Sequence, residues 1–311
     1  MFIVKNRKWF YSFSGALIAI GVVSLLVWGL KFGIDFTGGS LLEISYTSAT
    51  VPSAHDVSSV LQGAGIQGSS VRPTGLSGYI IRTPFLTPAQ YDNVENALTG
   101  SGQWQFDQKS YDSIGPTIGT ELTSKSLWAI ALVLVAIALF VMFAFRKVSK
   151  PVSSWKYGLV VLIALAHDVL IPVGAFSLLG HFFNVEVDTL FVTAVLVVLG
   201  FSVHDSIVVF DRVRENLRKN QESNNAKEPF EETVGKSIQQ TLSRSLNTSL
   251  TVVLVLLALL ILGPASVQLF VLALLIGVIA GTYSSVFIGS PLLVTLEKTQ
   301  KSKPEKSPKK K

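Results

Sequence analysis

Five ionisable residues interrupt long apolar stretches of this chain: His167-Asp168, His204-Asp205 and Arg244. An ionisable group inside a bilayer costs about 3 kcal/mol on insertion scales unless it is paired or hydrated, so each needs a reason. Such groups can take up and release a cation, above all a proton. Asp205 lies five residues before Phe210 at the inner end of its stretch, roughly 8 Å from the boundary at the helical rise. Arg244 enters the next stretch from the same side. Opposite charges at one depth predict an ion pair. Ser202, Asp205 and Ser206 share one helical face, and Thr241, Arg244, Ser245 and Thr248 share another. Two polar stripes facing each other would line a hydrated path. The plainer alternatives are a static brace at Asp168 or at Asp205–Arg244, a snorkelling Arg244, and histidines that pack rather than relay. No cysteine, phosphate loop, metal-ligand cluster or nucleophile–base arrangement is present. No enzyme activity, metal or cofactor is therefore expected, and energy is expected from an ion gradient.

These residues need a membrane to matter, and the composition supplies one. The chain has 311 residues, 49% hydrophobic and 15% charged, against about 25% charged in soluble domains. Six apolar runs each reach the length needed to span about 30 Å of hydrocarbon. They predict transmembrane helices at 10–30, 124–145, 157–180, 188–211, 241–263 and 265–296. Pro291 is expected to end or kink the last. Gly277, Gly281 and Ser285, four apart, predict a close helix-packing face there. Of 26 basic residues, 21 flank alternate ends of the runs. The positive-inside rule then puts residues 1–9, the connection 212–240 and the tail 297–311 in the cytoplasm. The tail reads as disordered, either a topology signal or a polybasic segment against anionic lipid. Phe230, Val234, Ile238 and Leu242 recur every fourth residue, which predicts an amphipathic helix along the inner surface. The net charge of +6 follows this flanking pattern and does not point to nucleic acid.

Residues 31–123 have ordinary soluble composition. Leu42, Ile44 and Tyr46 alternate with polar residues, which predicts a half-buried strand. Val57, Val60, Leu61 and Ala64 have helical spacing. Gly68–Pro73 and Gly78–Thr83 read as strands. Thr87-Pro88-x-Gln90 reads as a helix start, and Gln103–Tyr111 as a last strand with Trp104 and Phe106 inward. The order βαββαβ predicts a ferredoxin-like α+β extracytoplasmic domain between the first two spans. It has no catalytic cluster and reads as a binding or gating module.

Several motifs, in order, resemble those of the SecF family of protein-export membrane proteins, within the resistance–nodulation–division superfamily. After span 1 stands Phe32-Gly-Ile-Asp35-Phe-Thr-Gly38-Gly39. Before span 2 stands Ser113-Ile-Gly115-Pro116-x-x-Gly119-x-Glu121. Ala166-His167-Asp168-Val is similar to the family's span 3 signature. Gly200-Phe-Ser-Val-His204-Asp205-Ser206, continuing to Asp211-Arg212-x-Arg214-Glu215-Asn216, is similar to its span 4 signature. Thr241-x-Ser243-Arg244 resembles the start of its span 5. The resemblance runs from residue 32 to about 250. It implies a multi-pass protein of the bacterial plasma (inner) membrane, paired with SecD as a heterodimer and acting beside the SecYEG channel, with YajC a further partner. The pair would use the proton-motive force to draw unfolded preprotein outward. By position, Asp205 and Arg244 correspond to the family's proton-path carboxylate and arginine, with Asp168 and His204 in adjoining motif positions. Some relatives carry Asn where this chain has His204. The alternative is a small-molecule or lipid transporter subunit of the same superfamily, or a non-transporting assembly factor.

Overall fold

A computed structural model describes residues 2–48, 50–100, 102–146, 153–222 and 228–301. The basic tail beyond 301, Lys147, Lys150 and Lys227 lie outside the described residues. The chain divides into two compact units. The first holds Met1–Lys31, Trp128–Val185 and Leu190–Lys311. The second holds Phe32–Leu127 together with Glu186–Thr189.

Among the described residues, six helices are long and apolar enough to cross a membrane. After a short α1 (Phe2–Lys5) come α2 (Arg7–Trp28), α6 (Pro116–Ala144), α7 (Ser154–Phe183), α8 (Thr189–Glu222) and α9 (Phe230–Leu262). The sixth span is composite: α10 (Ala265–Ser284), a π-helical turn (Ser285–Gly289) and α11 (Ser290–Lys301). The span therefore continues through Pro291 instead of ending there. The proline has no N–H to donate to the turn before it, and the backbone widens to π geometry just ahead of it.

The helices are joined by small residues and hydroxyls, as expected where no hydrophobic force separates helix from lipid. A Cβ on Gly174 of α7 would lie 2.4 Å from Gly21 Cα of α2. One turn away, Ser24 Oγ donates to Ser177 Oγ at 2.8 Å, and Ser177 Oγ to Gly29 O at 2.7 Å. Gly174→Val is therefore expected to destabilise the purified protein by about 1–3 kcal/mol through overpacking. Gly15→Ala, where nothing lies within 4 Å, serves as the neutral control. Equal thermal midpoints for the two variants would remove this crossing from the packing account.

The segment from 212 to 240 differs from its sequence reading. Among the described residues no separate surface helix forms. α8 runs on to Glu222, and α9 starts at Phe230 and continues unbroken to Leu262. Phe230, Val234 and Ile238 are buried in the main apolar core with Leu242 packed against it. The four-residue apolar period thus faces protein and not lipid. Polar contacts bind the two helices: Asn216 Nδ2 to Ser237 Oγ at 2.9 Å and to Gln240 Oε1 at 2.8 Å, and Arg212 Nε to Gln240 Oε1 at 2.6 Å. At the same end Glu231 meets Arg7 at 2.9 Å and also Lys298.

The second unit contains α3 (Ile34–Thr37), β1 (Gly39–Tyr46), α4 (Ala54–Gly63), β2 (Ser70–Thr74), β3 (Gly78–Thr83), α5 (Pro88–Leu98) and β4 (Phe106–Ile114). The sheet order is β2-β3-β1-β4, every neighbour antiparallel. Leu42, Ile44 and Tyr46 of β1 are buried with Val57, Leu61, Val94 and Leu98 of the two helices, and Trp104 and Phe106 pack against them. Both helices open with reciprocal capping boxes, Ser53 with Asp56 and Thr87 with Gln90. The Ser53 hydrogen bonds hold the Asp56 carboxyl below its ordinary value. That cap is complete above the unfolded carboxyl's range and is lost as pH falls through the lowered folded value. β4 runs three residues past Tyr111, so the Ser113–Glu121 motif forms the end of a strand and the start of α6.

Candidate functional site

Two aspartates are buried inside the helical unit, each held by serines. Asp205, on α8, accepts a hydrogen bond from Ser245 Oγ of α9 at 2.5 Å and another from Ser285 Oγ of the π turn. Asp168, on α7, is fully buried. It accepts from Ser284 Oγ at 2.9 Å and from Ser202 Oγ of α8, and its other oxygen lies 2.9 Å from His167 Nδ1. Ser202 and Asp205 are one turn apart on α8, and Ser284 and Ser285 are adjacent on span 6. The two centres therefore share two walls. Gly277 and Gly281 make this possible: their missing Cβ atoms would lie 2.4 Å from Val198 Cγ2 and 3.0 Å from Ser202 Cβ.

The expected partner of Asp205 is corrected. Arg244 is exposed and makes no ion pair among the described residues; the neighbouring Ser245 meets the carboxylate. Successive helix residues are turned by about 100°, so facing Ser245 to α8 turns Arg244 away. The buried polar stripe of α9 runs Thr233, Ser237, Thr241, Ser245 and Ser249; of the expected Thr241, Arg244, Ser245 and Thr248, Arg244 and Thr248 are exposed. Arg244 instead lines an open cavity of about 400 Å³ with Asp211, Arg212, Glu215, Gln240 and Thr241. Ser206 is buried beside Asp205 on α8. His204 points the other way, is exposed, and joins neither centre.

The serines around the two carboxylates can serve either protonation state. Ser285 Oγ has a second acceptor in its own helix, Thr282 O at 3.1 Å. Ser284 Oγ likewise has Gly281 O at 3.1 Å. An ionised carboxylate takes the hydroxyl proton. A protonated one donates to the serine oxygen, and the serine turns its proton to the helix carbonyl. Neither state strands a buried donor, which would cost about 1–3 kcal/mol. π turns are frequent at functional sites, and this one supplies the hydroxyl.

The motifs outside the spans form a second cluster, wholly within the second unit. Gly38 and Gly39 have φ of +73° and +137°, conformations that L side chains rarely adopt. They are also closely approached. A Cβ on Gly39 would lie 2.8 Å from Thr83 O, one on Gly38 2.8 Å from Pro116 Cα, and one on Gly119 2.8 Å from Gly38 N. The two motifs thus pack glycine against glycine, with Gly115 leading into Pro116 at the start of α6. Glu121 is exposed and pairs with Lys125 at 2.6 Å. Asp35 Oδ2 accepts from the Thr189 N–H at 2.8 Å and Thr189 Oγ1 at 2.5 Å. Gly33 N–H donates to Val187 O at 2.8 Å, and Arg82 pairs with Glu186 at 2.8 Å. Sequence reasoning marked Asp35 as a motif residue but missed its partner, because no local pattern links residues 35 and 189.

Fold and site together define a class: a multi-pass α-helical membrane protein with an α+β domain inserted after its first span and carboxylates held within the bundle. Comparison with known proteins narrows this. Residues 93–299 match the family described as protein export membrane protein SecD/SecF, C-terminal, and residues 23–50 match the SecD/SecF GG motif. The protein translocase subunit SecF of Thermobaculum terrenum is 43% identical over 306 residues, covering 95% of this chain and 93% of that protein. The SecF subunit of Anaerolinea thermophila is 37% identical, covering 95% and 94%. A crystal structure of SecDF from Thermus thermophilus, described as a translocon-associated membrane protein, superposes with a TM-score of 0.80 at 30% identity. It matches 95% of this chain, which spans 38% of that longer one. The chain belongs to the SecD/SecF family of protein-export membrane proteins.

Proposed function

We propose that this chain is the SecF-type half of a proton-driven accessory to the Sec translocon. It works as a heterodimer with SecD beside SecYEG, with YajC as a further partner. It sits in the bacterial inner membrane with both termini in the cytoplasm, as the distribution of Lys and Arg supports. The sheet order and βαββαβ sequence of the inserted domain support a ferredoxin-like reading, and the domain grips emerging preprotein outside.

One observation carries the proton reading. Asp205 is buried, has no cationic partner among the described residues, and is bonded to hydroxyls of which Ser285 has a fallback acceptor. It can therefore exist charged or neutral in one frame. Asp168 is the second carboxylate on the path, and His204 stands outside it.

The test is export into vesicles carrying this chain, its SecD partner and SecYEG. An imposed proton gradient is expected to speed late preprotein movement, and collapsing the gradient to remove that gain. Stimulation of equal size without a gradient would sink the proton reading, and gradient-driven efflux of a lipid or small solute would favour the transporter alternative.

A further inference from the structure

Span 3 carries a buried group that the Asp205 mechanism leaves unused. The His167 side chain is only 4% exposed, and its Nδ1 lies 2.9 Å from Asp168 Oδ1. The ring stacks on Tyr283 of span 6, with centroids 6.1 Å apart and planes at 24°. Its other nitrogen, Nε2, is buried and has no hydrogen-bond partner among the described residues. A buried polar atom without a partner is rare and calls for an explanation.

The charges supply one. Ser202 and Ser284 donate to Asp168 Oδ2, and His167 Nδ1–H is placed to donate to Oδ1. A carboxylate with three donors and no Lys or Arg partner among the described residues leaves one uncompensated negative charge in a low-dielectric interior. Removing one partner from a buried ion pair costs about 3–5 kcal/mol, because the remaining charge is left alone. A proton on Nε2 makes the ring an imidazolium in contact with Asp168, and the centre becomes neutral. It also turns an orphan lone pair into an N–H donor for a water molecule.

We propose that His167–Asp168 is a second proton-binding centre of the bundle and that His167 Nε2 is the atom that takes the proton. The step is addition of H⁺ to the Nε2 lone pair and its return to water; no other bond changes. The centre rests on the reading of Asp205 for its use in export, but not for its existence. The titratable groups facing His167 are Asp168 on its own helix and Tyr283 on span 6. Tyr283 Oη is occupied by Ser14 and by Phe10 O of α2, so α2 brings no charge to the ring. Asp205 stands across the Ser284–Ser285 pair. Because those serines are neighbours, a turn of span 6 that serves one carboxylate also moves the donor of the other.

The test is solid-state NMR of ¹⁵N-histidine in the full chain, co-assembled with its SecD partner in bilayers. His55, His181 and His204 are replaced by Gln so that His167 reports alone. Between about pH 8 and pH 5, the range in which histidine serves as a switch, the ring is expected to pass from one protonated nitrogen to two. In D168N the doubly protonated signal should be lost over that range. A ring in one protonation state throughout, or a titration unchanged by D168N, overturns the proposal. Should the triple variant fail to insert, the same titration on the otherwise unchanged chain, with H167Q as the subtraction blank, decides the same question. Titration that persists in D205N supports the second centre as separate from Asp205. A silent His167 beside Asp205-dependent export would sink this centre alone, and a titrating His167 beside export that ignores D205N would sink only the Asp205 reading.

Discussion

Replacing Asp205 with asparagine is expected to leave the protein folded and inserted while abolishing the proton-dependent part of export. The geometry explains why the two effects separate. Ser245 Oγ donates to Asp205 Oδ1, and an asparagine oxygen accepts that bond equally well. The new amide N–H would face Ser285 Oγ and donate to it. Ser285 would then turn its own proton to Thr282 O, 3.1 Å away. Every hydrogen bond survives, so the stability change should stay near about 1 kcal/mol. What is lost is the ability to add and release a proton. In vesicles carrying the full assembly, export with a gradient should fall to the level seen without one. Abundance in the membrane should match the unsubstituted chain. A D205N assembly that still responds to the gradient would remove Asp205 from energy coupling.

How much of this was legible in the sequence depended on whether the signal was local. The six spans follow from runs of uncharged residues, and the strand containing Leu42, Ile44 and Tyr46 follows from strict alternation. Both are statements about neighbours, and burial enforces them directly. The fault at Asp205 has a different origin. Arg244 and Ser245 are adjacent and both polar, so composition cannot set the rotation of α9. A charge argument selects the arginine; packing of Thr241, Ser245 and Ser249 against the bundle selects the serine. The apolar stripe from Phe230 to Leu242 was read correctly as a stripe, but its partner is the protein core and not the bilayer. A period alone does not name what covers it. The π turn had only Pro291 as a sequence signal, and the meeting of Gly38 with Gly119 had none, because about 80 residues of folded domain stand between them.

Asp35→Ala is expected to uncouple the protein: proton uptake in the spans should continue while the gain in export is lost. Asp35 belongs to the inserted domain, and its carboxylate takes both the N–H and the hydroxyl of Thr189. Thr189 is the first residue of α8, the helix that carries Asp205 sixteen residues later. A carboxylate at this position caps a helix that has spare N–H groups and a positive end. The cap is worth about 0.5–2 kcal/mol, too little for its loss to unfold the chain, yet it fixes where the first turn of α8 is held. This bond is the direct side-chain hold of the inserted domain on the first residue of α8. The neighbouring Arg82–Glu186 pair is partly exposed, and surface pairs contribute only about 0–1 kcal/mol. Glu186→Gln should therefore weaken export far less than Asp35→Ala. Proton flux and preprotein movement, measured in the same vesicles, separate the cases. An Asp35→Ala assembly with both at the unsubstituted level would show that α8 does not transmit the movement, leaving the covalent links through α2 and α6 as the route. Loss of both together would mark the cap as structural, and only loss of export with flux intact identifies Asp35 as the residue that joins the proton site to the domain.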